Sequence, residues 1–139
     1  MSPTKSKEGF SAEEKAAMRA RAKELKAAAD GESAVQEALA AMSPDDRAIG
    51  ERIHALVKEN APDLTPKTWY GMPAYANEAG KTIVAFKNAG KFGQRYSTLE
   101  FQEAAKFDDG DIWPVSYAVV KWSPAVEKKI VELVKTATS

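Results

Sequence analysis

An α+β domain is what this sequence predicts: a twisted antiparallel sheet of about four to five strands, covered by helices from both ends of the chain. Three observations carry it. Apolar residues recur at helical spacing up to Pro62, the period shortens to two between Lys67 and Lys121, and a helical stripe returns after Ser123-Pro124. The change of period, more than any single motif, sets the architecture.

Residues 1–10 are polar and offer little to bury, so a disordered arm is expected. Ser11-Ala12-Glu13-Glu14 has the spacing of a capping box and opens a helix expected to run to about Ala29. Its only large apolar residues are Met18 and Leu25, and seven Lys or Arg face four Asp or Glu over residues 1–29, a net of plus three. A flexible arm with a charged helix over 1–30, followed by the domain proper over 31–139, is the expected organisation. Asp30-Gly31-Glu32 reads as a break, and Ser33 to Met42 as a second short helix with Val35, Leu39 and Met42 inward. Ser43-Pro44-Asp45-Asp46 is a strong helix start, with an N-cap, a first-turn proline and two carboxylates at the positive end of the dipole. Ile49, Ile53, Leu56 and Val57 form the stripe of that helix, and Asn60-Ala61-Pro62 ends it. His54, the sole histidine, borders the stripe and reads as a packing or surface residue.

From here the chain is extended. Lys67 to Tyr70 and Ala74 to Ala76 are expected strands on either side of a bend at Gly71 to Pro73. Lys81 to Lys87 is apolar on both faces, with Ile83 and Ala85 on one and Val84 and Phe86 on the other, as in a central strand. Asn88-Ala89-Gly90 reads as a short hairpin turn and Lys91 to Ser97 as the returning strand. Ser97-Thr98-Leu99-Glu100 repeats the capping-box spacing and predicts a short helix to about Lys106. Asp108-Asp109-Gly110-Asp111 is a turn that lacks the spacing of a calcium loop. Trp113 to Lys121 is the last strand, and the closing helix presents Val126, Ile130, Leu133 and Val134.

Composition narrows function by exclusion. With 139 residues, 44% of them hydrophobic, one core is expected. Twenty basic and twenty acidic residues leave no net charge, which argues against nucleic acid as the main partner. No cysteine means no thiolate nucleophile and no zinc site of the cysteine type, and a second histidine for triad or metal chemistry is absent as well. No run is long and apolar enough to cross a membrane, so a cytoplasmic protein that does not engage membranes is expected, and a binding protein rather than an enzyme.

The densest stretch is Trp69-Tyr70-Gly71-Met72-Pro73-Ala74-Tyr75, with three aromatics, a Met, a Gly and a Pro in seven residues. Its bend is expected to set a wall of a small cleft lined by Tyr70, Met72, Tyr75, Arg95, Tyr96 and Trp113. Arg95 supplies charge and the tyrosines supply shape and hydrogen bonds, which suits a small planar or anionic ligand. An interaction module built on the charged amino-terminal helix, with a protein partner, is a second reading.

Together with the strand around Ile83-Val84-Ala85-Phe86-Lys87 and a last strand feeding a Ser-Pro-capped helix, this motif resembles the YdhG-like family, over about Ser33 to Thr136. That bacterial family is largely without assigned function and includes a frataxin-like iron chaperone. The resemblance implies an α+β domain. It also implies, as a third reading, ferrous iron carried on surface carboxylates toward iron–sulfur or haem assembly, with no resident cofactor otherwise. The positions matching that idea are Asp45, Asp46 and Glu51, with Glu59 and Asp63 beyond them. Arg47, Arg52 and Lys58 are interspersed and compete for the carboxylates.

Overall fold

The structure is a computed structural model that describes residues 11–139; the expected arm over residues 1–10 lies outside the described residues. The α+β architecture is as the period changes indicate. Helices α1 (Ala12–Ala40) and α2 (Pro44–Asn60) precede strands β1 (Thr65–Trp69), β2 (Met72–Ala76) and β3 (Thr82–Lys87). A short helix α3 (Ala89–Phe92), strands β4 (Ser97–Phe101) and β5 (Ser116–Val119), and helix α4 (Pro124–Thr138) complete the chain. All five strands pair antiparallel in the order β1-β2-β3-β4-β5.

The helix starts are built as the sequence indicates. Ser11 accepts the Glu14 N–H at 3.1 Å while the Glu14 carboxylate accepts the Ser11 N–H at 3.0 Å. Ser43 and Ser123 cap α2 and α4, each with proline in the first turn. One face of the sheet meets the helices: Tyr75, Val84, Phe86, Leu99, Phe101 and Val119 pack against Ile49, Ile53 and Val57 of α2 and Ile130, Leu133 and Val134 of α4. The other face carries a small cluster of Met72, Ala74 and Ala85 with Trp69 lying over it, and no helix residue joins that cluster.

Four expectations are corrected. The break at Asp30-Gly31-Glu32 does not occur, because α1 is continuous from Ala12 to Ala40 and residue 30 falls inside it. Gly31 is there for closeness rather than for bending: a Cβ would overlap the Pro66 carbonyl oxygen and stand 3.0 Å from its carbon. A mid-helix glycine costs about 1 kcal/mol. Burying Val35 and Leu39, which are 0% and 1% exposed, returns about 2 kcal/mol each and outweighs it. Second, Lys91 to Ser97 is not a strand; the chain turns through α3 and leaves it at Gly93, in the left-handed conformation.

Third, the capping-box spacing at Ser97 to Glu100 does not open a helix. Ser97 Oγ instead accepts the Ala89 N–H at 3.0 Å, and β4 pairs with β3 and β5 on its two sides, so Leu99 and Phe101 reach the core at a period of two. Fourth, Ile83 joins Val84 and Phe86 in the main core rather than facing away with Ala85. Tyr75 pairs with Val84 and Ala76 with Thr82, which leaves Ile83 as the extra residue of a bulge that turns its side chain inward. The last strand is also shorter than expected, Ser116–Val119 within Trp113 to Lys121.

The Gly31 contact is testable through stability. Gly31→Ala should lower the urea midpoint, a net loss of about 1–3 kcal/mol, although alanine is the better helix former. An unchanged or raised midpoint would show that α1 does not lie this close to β1.

Candidate functional site

The hairpin joining β1 and β2 is as tight as a hairpin can be. Trp69 pairs with Met72, so only Tyr70 and Gly71 lie between, both with positive φ, 52° and 75°. That is the signature of a type I′ turn, in which asparagine and glycine are the low-cost residues. For tyrosine the left-handed backbone costs about 1–2 kcal/mol. Its side chain does little to offset that cost, since Tyr70 is 79% exposed and meets Trp69 edge to face, ring centroids 5.0 Å apart. Lys91 of α3 reaches the tip and donates to the Tyr70 carbonyl at 3.4 Å. Its ammonium lies 5.5 Å from the centre of the Phe92 ring, and Lys87 approaches the same ring at 5.1 Å.

Beside this tip opens a hollow of about 500 Å³ between the end of α1, the start of α2 and α3. Met42, Ala38 and Ala41 form its apolar side, and Ser43, Gly71, Asn88, Gly90 and Lys91 the polar one. Asp46 holds the back wall together, accepting the Gly90 N–H at 2.8 Å and the Asn88 Nδ2–H at 3.2 Å. Asn88 is 4% exposed, and its carbonyl oxygen has no hydrogen-bond partner among the described residues. Lys91 is the one charged side chain lining this hollow. Two hollows of similar size, about 480 and 470 Å³, mix signs: Asp63, Glu78 and Lys106 in one, Glu32, Lys58 and Asp63 in the other. Size does not separate the three, whereas charge does.

A second polar constellation is buried. Tyr75 stands on the helix side of β2, its hydroxyl 2.7 Å from His54 Nδ1, and His54 Nε2 lies 2.8 Å from Glu32 Oε2. With a neutral imidazole, Nε2–H donates to Glu32 and the Tyr75 hydroxyl donates to Nδ1, so both ring nitrogens are satisfied. Gln36 and Lys58 also donate to the Glu32 carboxylate, at 2.8 and 3.4 Å. Desolvation works against ionisation of Glu32, but the hydrogen bonds from Gln36 and His54 and the charge of Lys58 outweigh it and hold the carboxyl below its ordinary range. Burial, helped by the Glu32 charge, pushes the Tyr75 hydroxyl well above its ordinary value.

The six residues expected to share one cleft are not brought together. Met72 faces the helix-free side, while Tyr75 is 2% exposed and committed to His54 on the other. Tyr70 crowns the hairpin tip; Arg95, its guanidinium 4.9 Å from the Tyr96 ring centre, follows α3 in the chain. Trp113 is half-buried in the connection from β4 to β5. None of these six lines any of the three hollows. Among the iron candidates, Asp45 and Glu51 are exposed and Asp46 is turned inward to Gly90 and Asn88. Among the described residues no group of three or more His, Asp or Glu side chains is placed to hold a metal. Lys91, Phe92 and Asn88 escape a sequence reading because Asn88 to Phe92 looks like a turn and the start of a strand. Glu32 escapes because its partner His54 is 22 positions away.

No family model, curated protein or solved structure matches this chain.

Three variants separate strain from support. Tyr70→Asn should raise stability by about 1 kcal/mol, read as a higher urea midpoint, because it keeps the turn and relieves the backbone. A depressed native pKa at Glu32 contributes stability that is present above about pH 5 and lost as pH falls through about 4 and below. A raised native pKa at Tyr75 contributes stability present below about pH 10 and lost above it. Glu32→Gln should therefore flatten the acid arm of stability against pH, and Tyr75→Phe the alkaline arm. Unaltered arms would show that the chain from Glu32 to Tyr75 is not formed in solution.

Proposed function

We propose that the chain is a small binding protein that takes a planar anionic ligand at the corner formed by the β1–β2 hairpin tip and α3. The observation that carries this is Tyr70, a tyrosine kept in a strained turn position while 79% of it faces solvent. A side chain that costs the fold and shields nothing is accounted for by what it meets from outside. Its ring offers a stacking face, and Lys91 offers the charge at the mouth of the hollow. Ser43 and the side-chain amide of Asn88 add polar contacts against the apolar side formed by Met42. A volume of about 500 Å³ suits a molecule of one or two rings.

Binding rather than catalysis is the reading, because the groups best suited to proton transfer, Glu32, His54 and Tyr75, are spent on one another away from this corner. Carriage of iron on Asp45, Asp46 and Glu51 gains no support from their placement. Kinship with YdhG-like proteins belongs to the proposal only as far as Trp69 to Tyr75 carries it. No helix among the described residues is long and apolar enough to cross a membrane, and a cytoplasmic place is part of the same proposal.

Chemical-shift perturbation by a panel of aromatic carboxylates and nucleoside monophosphates checks this. Signals of Tyr70, Gly71, Asn88 and Lys91 should move together, and Lys91→Gln should weaken the effect about tenfold. Shifts confined to the Asp63–Glu78–Lys106 hollow would place the site elsewhere.

A further inference from the structure

The corner that holds the proposed ligand site carries positive charge in a chain whose charges balance overall. Two of the segments that form it, residues 64–77 and 87–99, contain Lys67, Lys87, Lys91 and Arg95 and not one Asp or Glu, whereas the start of α2 adds the exposed Asp45. Ion pairs of Lys or Arg are few among the described residues: Arg21 with Glu24, Lys26 with Asp30 and Lys58 with Glu32. Here none of the four has a carboxylate within ion-pair distance among the described residues. Three of them lie over aromatic faces instead: Lys87 and Lys91 at 5.1 and 5.5 Å from the Phe92 ring centre, Arg95 at 4.9 Å from that of Tyr96. Phe92 is itself 38% exposed, so with Tyr70 two rings of this corner stand open to solvent.

Cations and rings alternating over an open surface match a ligand in which anionic and planar groups also alternate. Resting on the binding reading above, we propose that this corner binds single-stranded nucleic acid, its phosphates along Lys87, Lys91 and Arg95 and its bases on Tyr70 and Phe92. A duplex hides the faces of its bases and offers these rings nothing to stack on, whereas unpaired bases of any sequence present them. The carboxylates that oppose an anion are few. Asp46 lies behind the hollow with one carboxylate oxygen held by Gly90 and Asn88, and Glu100 faces the same side of the sheet one strand beyond Ala85. Overall neutrality conceals this patch, which is why composition alone argues against such a partner.

Fluorescence anisotropy of a labelled oligothymidylate of about 12 nucleotides, titrated with the full chain across a salt series, tests it. Binding should weaken with salt along a log–log slope of about −2, as three released counterions require. Replacing Lys87, Lys91 and Arg95 together by Gln should bring that slope near zero. Tyr70→Asn should weaken binding about tenfold at an unchanged slope while leaving the protein at least as stable, an outcome that a merely structural tyrosine does not produce. A duplex of equal length bound as tightly, or a wild-type slope near zero, overturns the proposal. If a thymidine monophosphate moves the corner's signals and the oligomer binds no more tightly, the small-ligand reading stands and this one fails. If neither binds, both fall.

Discussion

A hydroxyl, an imidazole and a carboxylate in line tie together the three parts of this molecule that share no chain neighbourhood. Tyr75 belongs to the sheet, His54 to α2 and Glu32 to α1. Burying polar groups this deeply is costly unless every donor and acceptor finds a partner, and here each ring nitrogen does. The chain therefore sets the register of α1 against β1 and α2. Gly31, one residue before Glu32, lets the helix come as close as that alignment needs.

Local signals in the sequence hold where the structure is decided locally. Caps at Ser11, Ser43 and Ser123 involve residues three apart, and all three are built. The same spacing at Ser97 fails because β3 and β5 offer a full ladder on both sides, and tertiary pairing outweighs a cap of about 1 kcal/mol. Gly31 misleads for a related reason: a glycine that permits approach is written with the same letter as one that ends a helix. The bulge at Ile83 reverses an otherwise sound alternation by a single inserted residue.

At the candidate site the aromatic stretch forms a bend but not a single wall. Met72 and Tyr75 are an odd number of positions apart on one strand, and that parity alone sends them to opposite faces. What replaces the expected cleft is an asymmetry of charge that needs three dimensions to be seen. Lys87 and Lys91 meet at the Phe92 ring, and Lys91 reaches Tyr70, only once α3 has folded the chain back toward the hairpin tip. The fold's stabilising polar contacts and its outward-facing corner are thus separate, one buried against the helices and the other at the far end of β2.

The order of the strands has a kinetic meaning. Each strand lies beside the one that precedes it, so the sheet can be assembled by successive hairpins, each closing a loop shorter than the whole chain. The two-residue connection at Tyr70 and Gly71 closes the shortest of these loops and makes the β1–β2 hairpin a natural place for folding to begin. The seat of α1 at Gly31 is the Pro66 carbonyl of that hairpin, so the long helix rests on a strand 35 positions further along the chain.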